Sequence, residues 1–359
     1  EVPGPALSEQ GNPNPFLDYR LEAVFTNGSD SFRVPGYFAA DGSAAETSAA
    51  SGQHWRVHFA PDRPGTWSYV ISFRKGRGIA VSDDPGAGEP LPADGLTGTF
   101  VVSETDKSGR DFRGKGRLEK HGHYLVHAGS GELFLKGGAD SPENFLAYRD
   151  FDGTWYGGSN QQRSGEDAPN AGLHAYEPHV PDWNEGDPVW QDGKGRGIIG
   201  ALNYLSSKGM NSVYFLTLNI LGDGEDVWPY TDRNERYRFD CSKLDQWEIV
   251  FTHMDRLGIM LHVVLQETEN EQLLDGGYLD VQRKIYLREL AARFSHHNAI
   301  TWNLGEEHGP VGWMEYAQSV DDTKRMAEYL RKTDPYNHFI VMHTHPSPGN
   351  RAEYLPEYL

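Results

Sequence analysis

A chain of 359 residues exceeds one comfortable hydrophobic core, so two domains are expected, one of them large enough for a barrel of roughly 250 residues. Its formal net charge of -19 argues against a nucleic-acid partner, because that polyanion is held by clustered Lys and Arg that release its counterions. No apolar run reaches the roughly eighteen residues needed to span a membrane, and Glu1-Val2-Pro3-Gly4 lacks the charged and apolar regions of a signal peptide.

From Tyr19 to Val102 the chain runs in short alternating stretches broken by turn residues, such as Leu21-Glu22-Ala23-Val24-Phe25-Thr26 before Asn27-Gly28, and this punctuation predicts paired strands. The segments Trp55-Arg56-Val57-His58-Phe59 and Trp67-Ser68-Tyr69-Val70-Ile71-Ser72-Phe73, joined through Pro61-Asp62-Arg63-Pro64-Gly65, read as a hairpin. Strands at this spacing without helices predict a β-sandwich, immunoglobulin-like in outline, over 12–103, followed by a linker and β-hairpin over 104–132.

Beyond residue 133 strands alternate with amphipathic helices, the signature of parallel β/α architecture. Strands are expected at 133–139, 212–220, 260–267, 299–305 and 338–344, and helices at 197–208, 242–257, 280–296 and 312–333. Leu244, Trp247, Val250, Phe251, Met254 and Leu257 fall on one stripe of the second helix. The long stretch 142–195 is the first βα loop, and such loops build active sites on the C-terminal face of barrels. A closed (β/α)8 TIM-type barrel needs eight strands, so 133–359 reads as its N-terminal part, with about five β/α units and a remainder in a separate or missing segment; a fold that is not a full barrel is the other reading. The lone Cys241 excludes an intrachain disulfide and reads as a small structural residue.

Polar residues gather at the ends of the last three strands, which share one mouth in a parallel fold. They are Glu267 and Glu269 after the third, Asn303 with Glu306, Glu307 and His308 at the fourth, and His343 and His345 at the fifth. Glycosidic cleavage needs one carboxylic acid to protonate the leaving oxygen and a second as nucleophile or base, and Glu306 or Glu307 suits the first role. Glu267 and Glu269 read as binding or pKa-tuning groups. His343 and His345 alternate along the strand, so one of them faces the barrel axis, where a sugar hydrogen bond is a better fit than a metal. Trp155 and Tyr156, with Tyr176 and Trp183, are candidate sugar-stacking platforms in the long loop. His174, His179 and Asp182 match no zinc spacing, so no metal or cofactor is expected; Asp150-Phe151-Asp152-Gly153 leaves room for a structural calcium ion.

Trp302-Asn303-Leu304-Gly305-Glu306-Glu307 resembles the fourth-strand motif of the large clan of barrel glycoside hydrolases, in which an Asn-Glu pair ends the strand and the Glu is the acid/base. Matching Trp302 to the Trp that often stands five residues before that Glu puts Glu307 on the catalytic position and Glu306 where the clan has Asn. Together with Val34-Pro35-Gly36-Tyr37-Phe38-Ala39-Ala40-Asp41-Gly42 and Phe134-Leu135-Lys136-Gly137-Gly138-Ala139-Asp140-Ser141-Pro142-Glu143-Asn144, the chain resembles a family of secreted glycoside hydrolases with an uncharacterised immunoglobulin-like N-terminal domain. The resemblance implies a retaining mechanism on a polysaccharide or oligosaccharide, a nucleophile on the seventh strand and so beyond Leu359, subsite contacts from Asp140, Asn303, Glu267 and His343, and a secreted or periplasmic protein whose signal peptide has been removed. A noncatalytic carbohydrate-binding protein and a polysaccharide lyase are the alternatives.

Overall fold

The structure, a computed structural model, describes residues 1–139, 142–157, 172–222, 226–309 and 317–345. The N-terminal part carries β1 (Val2–Ser8), β2 (Tyr19–Asn27), β3 (Asp30–Pro35), β4 (Tyr37–Phe38), a single turn of helix α1 (Ala44–Thr47), β5 (Ser51–Arg56), β6 (Gly65–Lys75), β7 (Glu89–Pro90) and β8 (Thr97–Val102). A small antiparallel sheet follows from β9 (Leu118–His121), β10 (Tyr124–His127) and β11 (Leu133–Phe134). Then come β12 (Gly138–Ala139), α2 (Arg196–Ser207), β13 (Ser212–Leu216), α3 (Cys241–Leu257), β14 (Met260–Val264), α4 (Val281–Phe294), β15 (Ile300–Asn303), α5 (Val320–Thr333) and β16 (Phe339–Val341).

Two antiparallel sheets, β1-β5-β4 and β3-β2-β6 with β7 and β8 on the far edge of β6, pack on one another through Trp55, whose ring lies 4.8 Å from Phe73 and 5.6 Å from Tyr19. Such a pairing of half-buried faces is what alternating strands require. This strand order does not establish the immunoglobulin-like outline expected from sequence.

Three expectations are corrected. The 55–59 and 67–73 segments are not hairpin partners: β5 pairs with β1 and β4, whereas β6 pairs with β2, β7 and β8. After Arg56 the chain leaves its sheet, and Phe59 stacks on Phe25 of the other at 4.1 Å, so the alternation reflects a crossing between sheets. The sheet also begins before residue 12. Pro3, Gly4 and Pro5 suggest a loop, but β1 is an edge strand, where a missing N–H is tolerated, and a Cβ on Gly4 would lie 2.4 Å from the Trp55 ring. Finally, 133–139 is not one strand: Leu133 and Phe134 pair antiparallel with β10, and only Gly138 and Ala139 join the parallel sheet.

The sheet β12-β13-β14-β15-β16 is parallel throughout and in sequence order. One face, with Val213, Phe215, Leu261, Val263, Ile300 and Trp302, is buried in the main apolar core shared with the helices. The other face carries Tyr214, His262, Thr301 and Asn303, and the described residues form an open sheet with no closed barrel. The helices start and stop as their sequences dictate. Asp240 caps α3 by accepting the Lys243 N–H at 2.9 Å, and Gly258 ends it in the left-handed conformation at φ 67. Ser319 caps α5, whose first turn holds Asp321 and Asp322 and whose last turn holds Arg331 and Lys332, as the helix dipole favours. The expected start of that helix at 312–316 lies outside the described residues.

Helix α2 carries the return of the long first loop. Within it, Gly200 lets the Glu177–Asp182 3₁₀ turn approach so closely that a Cβ would lie 1.9 Å from the His179 carbonyl oxygen. Gly200→Ala ordinarily gains about 1 kcal/mol of helix propensity. Here it is expected to destabilise by about 1–3 kcal/mol, as overpacking against backbone does, read as a lower urea midpoint at constant slope.

Polar contacts seal the N-terminal sheets to the helices. Arg293 Nε reaches Glu289 at 2.7 Å, its Nη1 reaches Asp245 at 2.9 Å, its Nη2 donates to the Phe38 carbonyl at 3.0 Å, and the guanidinium lies 4.1 Å from the Tyr37 ring centroid. Arg288 donates to the carbonyls of Leu21 and Gly36. Glu9 accepts the N–H of Cys241 at 2.6 Å at the start of α3, and burial together with Asp240 pushes its carboxyl up to about 7. Cys241 is fully buried, with its thiol turned to the Phe38 carbonyl.

Candidate active site

Parallel pairing brings the strand ends together. Beyond β14 and β15 the ladder continues through a bridge between Glu267 and Glu306, with Glu306 N–H donating to the Gln266 carbonyl at 2.9 Å. A further bridge joins His308 to Thr344, and the His308 N–H donates to the His343 carbonyl at 2.7 Å. Thr268 Oγ1 donates to the carbonyls of Glu306 and Glu307, which fixes the turn. Within that turn Glu307 adopts φ 46, a left-handed conformation that costs a non-glycine residue energy and is found where structure holds a site in place.

The two adjacent glutamates therefore have different surroundings. Glu306 Oε1 lies 3.9 Å from His343 Nδ1, and that nitrogen is 3.0 Å from the Tyr214 hydroxyl. Glu306 also meets Glu143 and Tyr214 through side-chain hydrogen bonds. Burial pushes its carboxyl up to about 9, and the charge and hydrogen bond of Glu143 and the charge of Glu307 push in the same direction, which favours a proton kept on the Glu306–Glu143 pair at neutral pH. Burial, with Glu306 next, raises the Tyr214 phenol. Below the cluster, His262 is pressed down to about 3 by burial, with the charges of Lys136 and His343 adding, and its Nδ1 lies 2.6 Å from Lys136 Nζ.

Glu267 is buried, and Gly222 passes so close to it that a Cβ there would lie 2.3 Å from Glu267 Oε2. Gly222 has φ +105, so the loop after β13 uses glycine for both space and backbone conformation. Arg233 in the same loop donates to the Ile220 carbonyl and approaches Gly157, which adjoins Tyr156. Trp155 is 44% exposed and Tyr156 43%, and Trp155 meets buried Trp228 edge-on at 5.2 Å. Both aromatic side chains thus keep a large part of their surface in solvent, next to the loop that follows β13.

A solved structure of a candidate glycoside hydrolase from Bacteroides vulgatus superimposes on 95% of this chain and 54% of that one, with a TM-score of 0.57 at 18% identity. The fold is shared with that protein. A family 5 glycoside hydrolase from the same organism gives a TM-score of 0.38 at 17% identity over 65% of this chain and 39% of that one. An endo-1,4-beta-mannanase from Rhizomucor miehei gives 0.39 at 14% identity over 64% and 60%. This chain spans less than two thirds of the length of each of the three. Residues 5–74 match a domain of unknown function, DUF5060, and no curated protein matches.

Of the residues singled out from sequence, Glu306, Glu307, Glu267 and His343 meet at one strand-end cluster. Glu269 lies half-buried in the adjacent 3₁₀ turn, and His345 lies half-buried one residue beyond Thr344. Asp140 lies outside the described residues. Asn303 serves the scaffold: its Oδ1 accepts the N–H groups of Gly305 and His343, and its amide nitrogen is 3.2 Å from His262 Nε2. His308 leaves the rim for the interior, where it pairs with buried Glu271 at 2.8 Å and Thr323 at 2.7 Å. His174 bonds Asn144, whereas His179 pairs with Asp182, so the loop histidines have separate partners. Sequence reasoning missed Glu143 and Tyr214. Tyr214 occupies an alternate position of a recognisable strand, and Glu143 stands three residues after Asp140, which are the signals that could have found them.

Proposed function

We propose that this chain contributes the proton-donating half of a glycoside hydrolase that cleaves a polysaccharide or oligosaccharide by a retaining, two-carboxylate mechanism. The single observation that carries the reading is a buried carboxyl group, Glu306, hydrogen-bonded to a second carboxyl, Glu143, at the mouth of a parallel β/α sheet, an arrangement that favours its acid form. A glycosidic oxygen leaves as an alcohol only if it is protonated as the bond breaks, and a carboxylic acid with a raised pKa is the group that does this. Glu306 is the donor in this reading. The spacing from Trp302 favours Glu307 as a second assignment, with Glu306 then tuning it.

Glu143 is too close to be the opposing carboxylate, because a retaining pair stands about 5–5.5 Å apart across the bond, whereas Glu143 shares a hydrogen bond with Glu306. The resemblance to the barrel glycoside hydrolases implies a nucleophile on a later strand of a (β/α)8 barrel, and this reading adopts that placement. Trp155 and Tyr156 stack on sugar faces, and Glu267 and His343 bind hydroxyls. The fold likeness and the strand-end position of the cluster support this reading. Secretion fits a polymeric glycan substrate. A lyase would need Tyr214 or His343 as a base, and a phenol raised by burial and by Glu306 is a poor one.

The test is a glycan screen with the intact protein, scoring reducing ends against unsaturated, ultraviolet-absorbing products. Reducing ends from at least one glycan are expected; binding without cleavage by the intact protein would establish the carbohydrate-binding alternative. On the glycan that is cleaved, Gly222→Ala is expected to lower kcat/KM by about tenfold to a hundredfold through displacement of the Glu267 carboxylate, and the strain of a side chain at φ +105 lowers the melting temperature by about a few degrees as well.

A further inference from the structure

Away from the strand-end cluster, three side chains from distant parts of the chain converge at the seam between the N-terminal sheets and the helices. His58 follows β5, Glu248 lies on α3, and His296 follows α4. All three are half-buried, and one ligand atom from each lies within 4.8 Å of the other two. His58 Nδ1 is 3.2 Å from His296 Nε2, and His296 Nε2 is 3.1 Å from Glu248 Oε1.

We propose that His58, His296 and Glu248 form a binding site for a divalent transition-metal ion, best matched by zinc, which clamps the N-terminal sheets to α3 and α4. Zinc bonds of about 2.0–2.1 Å arranged tetrahedrally separate neighbouring ligand atoms by about 3.3 Å, close to both of the observed separations. Two imidazoles and a carboxylate form a ligand set that zinc accepts, and solvent can reach the fourth position because His296 and Glu248 each keep 19% side-chain exposure.

The surroundings are those of a ligand set held in place from behind. The Tyr37 hydroxyl lies 3.0 Å from His58 Nε2, the ring nitrogen turned away from the cluster. Glu248 Oε2 is 3.2 Å from His297 Nε2, and His297 Nδ1 is in turn 2.8 Å from Asp255. Thr252 donates to Glu248 Oε1 at 2.9 Å. Outer contacts of this kind orient metal ligands and fix which nitrogen faces the ion. The sequence concealed the site because His58 and His296 stand 238 residues apart and match no local ligand spacing.

The experiment uses the full chain, stripped with a chelator and titrated with Zn²⁺ by calorimetry and with Co²⁺ by visible spectroscopy. One site of about micromolar affinity or tighter, a Co²⁺ spectrum of low-coordinate type and a rise in melting temperature are expected. His58→Ala and His296→Gln should each weaken the site by at least about tenfold. Both variants alter partly exposed rings and leave the Glu248 and Asp255 contacts of His297 in place; circular dichroism checks that each is folded. Glycan cleavage in the stripped protein is a separate readout and does not bear on the site. The proposal is overturned if the unaltered protein takes up no ion, or if uptake is unchanged in both variants, which would place the ion on surface histidines elsewhere.

Discussion

Glu306→Gln is expected to lower kcat/KM on a natural glycan by about a hundredfold to ten-thousandfold, the range that a positioned general acid supplies. The loss should shrink on an aryl glycoside, whose phenol leaves without needing a proton. Glu307→Gln should cost less and keep the same dependence on leaving group as the unaltered protein. If the two variants exchange these behaviours, the donor is Glu307 and the spacing from Trp302 was the better guide. The pH dependence follows from the direction of the shift. Glu306 is raised from its ordinary value to about 9, so its acid form persists through neutral pH and the rate falls as pH rises through that value. The same shift sets the sign for stability: a carboxyl that folding holds protonated contributes stability below its ordinary pKa, lost as pH climbs through the raised one. Glu306→Gln cannot ionise, so it should unfold at a higher temperature than the unaltered protein in alkaline buffer while being slower as a catalyst. A change that impairs catalysis and improves alkaline stability separates a functional group from a structural one.

The second large effect is on the fold. Arg293→Met should destabilise the protein by about 3–5 kcal/mol, because Asp245 and Glu289 would remain buried without the guanidinium that both of them contact. Methionine fills much of the same volume, so the loss reports the stranded carboxylates more than a cavity. Burial already raises both carboxyls, and without Arg293 they rise further. The deficit should therefore narrow as pH falls and both groups protonate. The check is a pair of chemical unfolding curves, one at neutral and one at mildly acidic pH. A deficit that does not change with pH would mean that the lost contacts to the Phe38 carbonyl and the Tyr37 ring dominate.

Much of the β/α part was legible because its signals are local. The observed strands Ser212–Leu216, Met260–Val264, Ile300–Asn303 and Phe339–Val341 all lie within the segments expected from apolar runs bounded by turn residues. Helix α3 buries Leu244, Trp247, Val250, Phe251 and Met254 of the stripe that its periodicity marks, and Leu257 at its end is half-buried. What failed was pairing. Trp55 and Trp67 both sit on alternating strands, yet they belong to different sheets, and alternation carries no record of which strand lies alongside. Leu133 and Phe134 are separated from β12 by only Leu135, Lys136 and Gly137, but the antiparallel neighbour claims them.

The site divides in the same way. The pile of carboxylates and histidines at strand ends could be read from sequence, since each cluster follows its strand directly. The difference between Glu306 and Glu307 could not, because it is made by a left-handed turn at Glu307 and by Tyr214 and Glu143 from distant segments. Asn303 and His308 have the chemistry of substrate contacts but spend it on Gly305, His343, Glu271 and Thr323.

The most direct test of the central claim is the ionisation of Glu306 itself. Carbon-13 NMR of the intact protein with labelled glutamate side chains, assigned by comparison with Glu306→Gln, gives its titration. A midpoint near 9 is expected, with the resonance that of an acid at neutral pH. A midpoint near the ordinary carboxylate value of about 4.3 would leave Glu306 ionised at neutral pH and contradict the proton-donor role proposed for it.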